Sequence, residues 1–284
     1  MDYRSSRPMI DTTGLFAGER DALLDLLRTL DSYDWWRATI CGEWTVHDIA
    51  LHLIGADVNV LSGDRDLFSG PPSSSTPGNL GDWAALVRFI DDRNEQWVEA
   101  LRRVSPRLTC ELLEMTGQLL APFWSGLDLD APGREVSWAG PGQAPVWVHV
   151  AREYTERWTH QQHIRDAVGR PGLTEPHWLG PVLEAFMLAL PHTLRNEPVA
   201  EGVAVEVHVT GDAGGRWWAL RREGAWALQR SAADQVVASV TLDQDTAWRL
   251  LTRGMFPAEA QRRARIEGDA RLGKAVLGMV SIIA

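Results

Sequence analysis

The period of the apolar positions changes once along the chain, near residue 200. Before that point the spacing is helical. Leu15, Ala22, Leu23, Leu26, Leu27 and Leu30 recur at three- and four-residue intervals, which predicts an amphipathic first helix. Thr45-Val46-His47-Asp48 reads as a second helix start, with Thr45 as the cap and Asp48 at the third helical position, where the helix dipole favours a carboxylate. This helix continues through Ile49, Leu53 and Ala56 to about Ser62. Residues 70–79 (GPPSSSTPGN) form a predicted loop, because Gly, Pro and Ser cluster there without periodicity. A third helix is expected over 82–104, and Ser105-Pro106 starts a fourth, since proline is tolerated in a first helical turn. Residues 128–145 read as a second breaker-rich loop. A fifth helix over 146–168 stops at Gly169-Arg170-Pro171-Gly172, and a sixth is expected over 178–194. Long amphipathic helices joined by polar connections predict a helix bundle.

Beyond Asn196-Glu197-Pro198 the period is two. Val203, Val205, Val207 and Val209 alternate with Ala204, Glu206 and His208, the pattern of a half-buried strand. Residues 216–222 and 225–229 read as a hairpin around Glu223-Gly224, and 236–242 as a further strand. A helix over 245–253, a short strand over 263–267 and a terminal helix over 271–283 complete the pattern. The expected fold class is α+β in two domains: a helix bundle over 1–197 and a small α+β domain over 198–284.

Composition removes several function classes. The net charge of −10 excludes a non-specific nucleic-acid binder and a binder of anionic membrane surfaces, both of which need excess basic charge. The late apolar stretch 276–284 is far shorter than the ~20 residues of a membrane span. Residues 1–14 lack the apolar core of a signal segment, so the expected compartment is the cytoplasm. Cys41 and Cys110 are too few for a disulfide framework or a cysteine metal knuckle, and with no base motif beside either both read as structural. Among the 28 basic residues Lys274 is the only lysine, so arginine supplies the general surface cation. Arg88, Arg93, Arg152, Arg157 and Arg253 accordingly read first as surface charges, although a guanidinium can also hold a carboxylate bidentately. The 14 tryptophans read as packing, with Trp158 best placed to line an apolar pocket.

The chemistry concentrates in the histidines. On the predicted fifth helix, Glu156 lies about 40° from His160 and about 20° from His163, so the three share one stripe. A carboxylate and an imidazole four residues apart can bind one metal ion, and they can equally form a solvated helix pair. His52, flanked by Leu51, Leu53 and Ile54, reads by itself as a core histidine. His47 falls about 140° round the same helix and is expected to be exposed.

The stretch from Cys41 to His52 (CGEWTVHDIALH) resembles the W-T-x-x-D-x-x-x-H signature of the mycothiol-dependent maleylpyruvate isomerase family, within the wider DinB-like superfamily. Glu156-x-x-x-His160, followed by Ile164-Arg165-Asp166-Ala167 and Gly169-Arg170-Pro171, resembles that family's second signature. Residues 201–284, through Gly268-Asp269 and Val276-Leu277, are similar to its C-terminal domain, which is itself similar to sterol carrier proteins. The resemblance covers nearly the whole chain in the same order.

It implies a DinB-like four-helix bundle holding a divalent metal, zinc above others, on His52, Glu156 and His160. Two neutral imidazoles and one carboxylate leave Zn²⁺ with a net charge of about +1 and an open fourth position, the catalytic rather than the closed structural pattern. It further implies mycothiol as cosubstrate, its thiol activated by the ion, acting on a small electrophilic molecule by isomerisation or thiol transfer. His163 is then a candidate proton-shuttling or ligand-orienting group, a fourth ligand, or a polar residue on the pocket rim. Arg157 is a candidate catalytic arginine and Trp158 a candidate contact for the thiol. Two other readings stay open: a thiol-independent metal hydrolase or lyase, and a non-catalytic metal- and ligand-binding protein.

Overall fold

The computed structural model describes residues 10–69, 83–135 and 143–281. The predicted loop over 70–79 lies outside them. The described residues form two compact units, and the division passes through one helix: 13–126 with 160–172 make the first, and 10–12, 127–135, 143–159 and 173–281 make the second.

The first unit is helical. α1 (Phe16–Arg28), α2 (Val46–Asn59), α3 (Trp83–Leu101) and α4 (Pro106–Ser125) follow the predicted order. α2 is buried on nearly every side, with Val46, Ile49, Ala50, Leu51 and Leu53 all fully enclosed, so its stability comes from neighbouring helices rather than from an amphipathic face. α1, α4 and residues Ile164 and Val168 share this core with it. Its start is the expected capping box: the Asp48 N–H donates to Thr45 Oγ1 at 3.3 Å, and the Thr45 N–H donates to Asp48 Oδ2 at 2.9 Å. A π-helical turn over Val60–Arg65 extends it, just past the predicted end. Ser105 caps α4, accepting from the Leu108 N–H at 3.4 Å, and Pro106 occupies its first turn.

One buried polar cluster ties three of these helices. Arg20 of α1 donates to Asp57 Oδ1 of α2 at 3.0 Å and to the Leu113 carbonyl of α4 at 2.6 Å. Thr116 of α4 donates to Asp57 Oδ2 at 2.6 Å. A buried carboxylate is tolerable because charge and lone pairs are both matched. Close approach also matters: a Cβ on Gly55 of α2 would lie 2.7 Å from Trp97 Nε1 of α3, whose N–H donates to the Leu51 carbonyl at 2.9 Å.

The second unit carries the sheet. Its strands are β3 (Ala204–Thr210), β4 (Gly215–Arg222), β5 (Ala225–Gln229), β6 (Val236–Asp243) and β7 (Arg265–Gly268), in the order β5-β4-β3-β6-β7. β3 and β6 are parallel and the other pairs antiparallel. Val205, Val207 and Val209 of β3 and Ala238, Val240 and Leu242 of β6 are buried, matching the period-two reading. Glu223 and Gly224 both have positive φ, 53° and 74°, the geometry a two-residue hairpin needs to match strand twist. Helices α8 (Gln244–Leu251) and α10 (Ala270–Leu277) pack on β6.

Three expectations are corrected. The stretch 128–145 is not all loop: β1 (Pro132–Glu135) pairs antiparallel with β2 (Gln143–Pro145), strands too short to show alternation. The sixth helix is two, α6 (Pro176–Met187) and α7 (Leu190–Leu194), because Pro191 lacks the N–H needed to continue a helix and opens a new one instead. A short α9 (Pro257–Arg263) was not predicted. The fifth helix, α5 (Val146–Ala167), runs as expected and is the element through which the two units divide.

Candidate metal centre

The site is assembled from the second turn of α2, the loop preceding it, and α5. The capping box sets the start of α2, and seven residues later His52 is buried at 6% exposure. On α5, His160 and His163 are 3% and 2% exposed, so both imidazoles are held out of bulk water. The His52 and His160 rings meet edge to face, centroids 4.6 Å apart and planes at 68°. Trp44 lies tilted against His52 at 5.1 Å and is itself pinned by its indole N–H donating to Glu95 Oε2 at 2.7 Å. Gln161, between the histidines, donates to the Glu19 carbonyl and carboxylate at 3.0 and 2.6 Å, which fixes the rotation of α5 against α1.

Glu156 stands one turn before His160 on α5 and is half-buried. Donor atoms of His52, Glu156 and His160 all lie within 4.8 Å of one another. Two imidazoles and one carboxylate converging from two helices form the donor set that Zn²⁺ and similar divalent ions take. The residues fit a metal.

His47 corrects the expectation of an exposed residue: it is fully buried. Its ring packs edge-on against Trp35 at 5.9 Å and Trp36 at 5.1 Å, with Nε2 3.4 Å from Thr109 Oγ1. Burial pushes its pKa below the ordinary value, with Arg102 adding to the fall and Asp48 opposing it. The Trp35-Trp36 pair just upstream was the available signal, since two indoles there can roof the first turn of α2.

Cys41 is the residue that spacing missed. It was read as structural, with no base beside it, yet its Sγ lies 3.1 Å from His163 Nδ1, across 122 residues of chain. No local pattern carries a contact of that span. Cys110, by contrast, is buried against the helical core as expected, and burial pushes its thiol pKa up.

The buried arginine and tryptophan candidates are held by partners of their own. Arg157 is 1% exposed and donates from Nη1 to Glu153 Oε2 at 2.8 Å and to the Glu153 carbonyl at 2.9 Å. Burial alone would raise the Glu153 pKa, but the Arg152 and Arg157 guanidiniums and His149 outweigh it and hold the carboxyl below its ordinary range. Trp158 is fully buried; its N–H donates to the Leu173 carbonyl at 3.0 Å and its ring meets Trp248 edge to face. Arg88, Arg93 and Arg253 are exposed, and Arg152 pairs with Glu153.

Residues 16–165 match the family described as the mycothiol maleylpyruvate isomerase N-terminal domain, which is more than half of the chain. The chain belongs to this family of enzymes. The matched span includes the second helix with His52 and the helix with Glu156, His160 and His163. No curated protein sequence matches. Among solved structures, the crystal structure of a mutant mycothiol-dependent maleylpyruvate isomerase superposes with a TM-score of 0.52 at 11% identity, covering 93% of this chain and 95% of that one. A second crystal structure, of the mycothiol-dependent maleylpyruvate isomerase, gives 0.51 at 12% identity, covering 87% and 90%. At such identities these structures show a shared fold, which extends over both the helical and the sheet-bearing parts of this family member.

Proposed function

We propose that this protein is a divalent-metal enzyme that presents mycothiol, a low-molecular-weight thiol, to a small electrophilic substrate. The observation that carries the proposal is the convergence of His52, Glu156 and His160, inside the span that matches the family. A divalent ion bound there, zinc by the chemistry of the donors, would lower the pKa of an incoming thiol and supply a nucleophile at neutral pH.

The chain's own residues have separable tasks in this reading. His52 and His160 provide neutral nitrogen donors and Glu156 the one formal negative charge, so a thiolate adds its charge to a site still net positive. Trp44 walls one side of His52. Gln161, through Glu19, sets the azimuth at which α5 presents its donors. Arg157 and Trp158 act as positioning residues for the turn beside Glu156, because Glu153 holds the Arg157 guanidinium and the Leu173 carbonyl holds the Trp158 indole. His163 stands against the site as a hydrogen-bonding imidazole, 5.5 Å from the His160 ring.

Addition of the thiol to an activated double bond, rotation about the resulting single bond and elimination give isomerisation with the thiol returned; stopping after addition gives thiol transfer. We place the boundary between the metal-binding domain and the sheet domain at residues 197/198, just before the first strand of the five-stranded sheet.

The test is metal content of the purified protein beside a His52→Ala/His160→Ala double variant, followed by calorimetric titration with mycothiol. Metal near one equivalent in the wild type, its loss in the variant, and metal-dependent thiol binding are expected. Equal metal in both proteins, or no thiol binding at millimolar concentration, would remove the proposal. Turnover of substrate without any thiol would favour a metal hydrolase in its place.

A further inference from the structure

We propose that Cys41, His160 and His163 form a second, sulfur-containing metal-binding set that shares His160 with the first. This rests on the reading that His52, Glu156 and His160 hold a divalent ion, and it adds a site that reading does not contain. Donor atoms of Cys41, His160 and His163 lie within 4.8 Å of one another, as do those of the nitrogen–oxygen set. The Cys41 sulfur is 3.1 Å from His163 Nδ1, and the His160 and His163 rings meet edge to face at 82°. Both imidazoles are buried, whereas Cys41 is half-buried. The cluster is thus closed on the protein side and reachable at the sulfur.

The loop that carries Cys41 is built rather than slack. Thr39 and Thr45 sit at its ends, with Ala38 bridged to Thr45 and the Thr39 N–H donating to the Trp44 carbonyl at 3.0 Å. The Cys41 N–H donates to Thr39 Oγ1 at 3.2 Å, and the Trp44 N–H donates to the Cys41 carbonyl at 3.1 Å. Gly42 takes φ of 61°, the left-handed conformation that turns the chain at this point without a Cβ penalty. Immediately afterwards the capping box anchors the loop to α2, so the thiol is held at a defined distance from α5.

Two donor sets that share one imidazole differ in softness. Glu156 offers a hard carboxylate and Cys41 a soft thiolate, each with one negative charge, so the sets leave a divalent ion with the same net charge but rank metals differently. The sulfur set favours zinc and cobalt over magnesium and manganese. A thiolate of the chain and an incoming thiol are also chemically alike, so an ion held through Cys41 is one that the cosubstrate can recover by ligand exchange. On deprotonation the Cys41 proton passes to solvent or buffer, and no redox change is involved.

Cobalt(II) reports the ligands directly, without reference to activity. The protein loaded with one equivalent of cobalt in the absence of added thiol is expected to show a near-ultraviolet thiolate-to-cobalt charge-transfer band. The band is expected to vanish in Cys41→Ser, to survive in Cys110→Ser, and to survive in Glu156→Gln, which removes the only charge of the other set. Cobalt bound by wild type without the band, or a band that persists in Cys41→Ser, overturns the proposal while leaving the His52, Glu156 and His160 set standing. No cobalt bound at all removes both. Labelling the wild type needs no variant to fold: zinc at about ten times its dissociation constant is expected to slow iodoacetamide modification of Cys41 about tenfold. Equal labelling with and without zinc overturns the proposal.

Discussion

His52 and His160 bear most of the weight at the scale of single residues. Each is buried and each offers one nitrogen to a three-donor set, so His52→Ala or His160→Ala is expected to lower zinc affinity by more than the ~10–100-fold typical of losing an outer hydrogen-bond partner. Competition with a chromophoric chelator measures this. His47 makes a different prediction. Its folded pKa lies below the ordinary 6.5, so the unfolded chain takes up a proton that the folded chain resists. Its contribution to stability is therefore present above about pH 6.5 and is lost as pH falls from there through the folded value. Metal-free wild type is expected to lose more stability between pH 7 and pH 5 than His47→Asn, measured by denaturant unfolding. Parallel slopes for the two proteins would refute the assignment.

The elements make their own demands, and α2 makes the strictest. Its capping box positions both the Cys41 loop before it and His52 within it, so Thr45→Ala is expected to cost about 1 kcal/mol of stability and to weaken metal binding. Urea unfolding with and without zinc separates the two effects. Gly55 is where α2 and α3 approach most tightly. Alanine there would drive a Cβ to 2.7 Å from the Trp97 indole, which cannot swing away without losing its hydrogen bond to Leu51, and the expected cost is about 1–3 kcal/mol. In α5 the residues facing α1 are as important as the donors, since Gln161 and Arg165 both reach back to α1 carbonyls.

At the scale of the whole molecule, the candidate site unites elements far apart in sequence, and its occupation is linked to folding. An ion that binds only the native donors stabilises the protein by about 2.7 kcal/mol at a free concentration 100 times its dissociation constant. Chelation is therefore expected to lower the melting temperature, and re-addition of zinc to restore it. The His52→Ala/His160→Ala variant is expected to melt at one temperature under both conditions, as scanning calorimetry would show. Among the described residues no helix is long and apolar enough to cross a membrane.

Much of this was written in local pattern. The helical period before residue 200 and the period of two after it predicted α1 to α5 and the strands β3 to β7, because burial repeats at the pitch of each backbone. Thr45 and Asp48 announced their capping box, and Glu156 and His160 their shared face, because both relations span one helical turn. Tertiary structure decided what no local pattern carries. His47 is buried because Trp35, Trp36 and Thr109 surround it, and only the packing of three segments brings them there. Cys41 meets His163 across 122 residues, a contact with no period to betray it. The sequence by itself determined that His52, Glu156 and His160 could bind a metal and on which helices they ride. Packing decided which of them converge, because ligation depends on distances of a few ångströms between groups that the chain holds far apart until it folds.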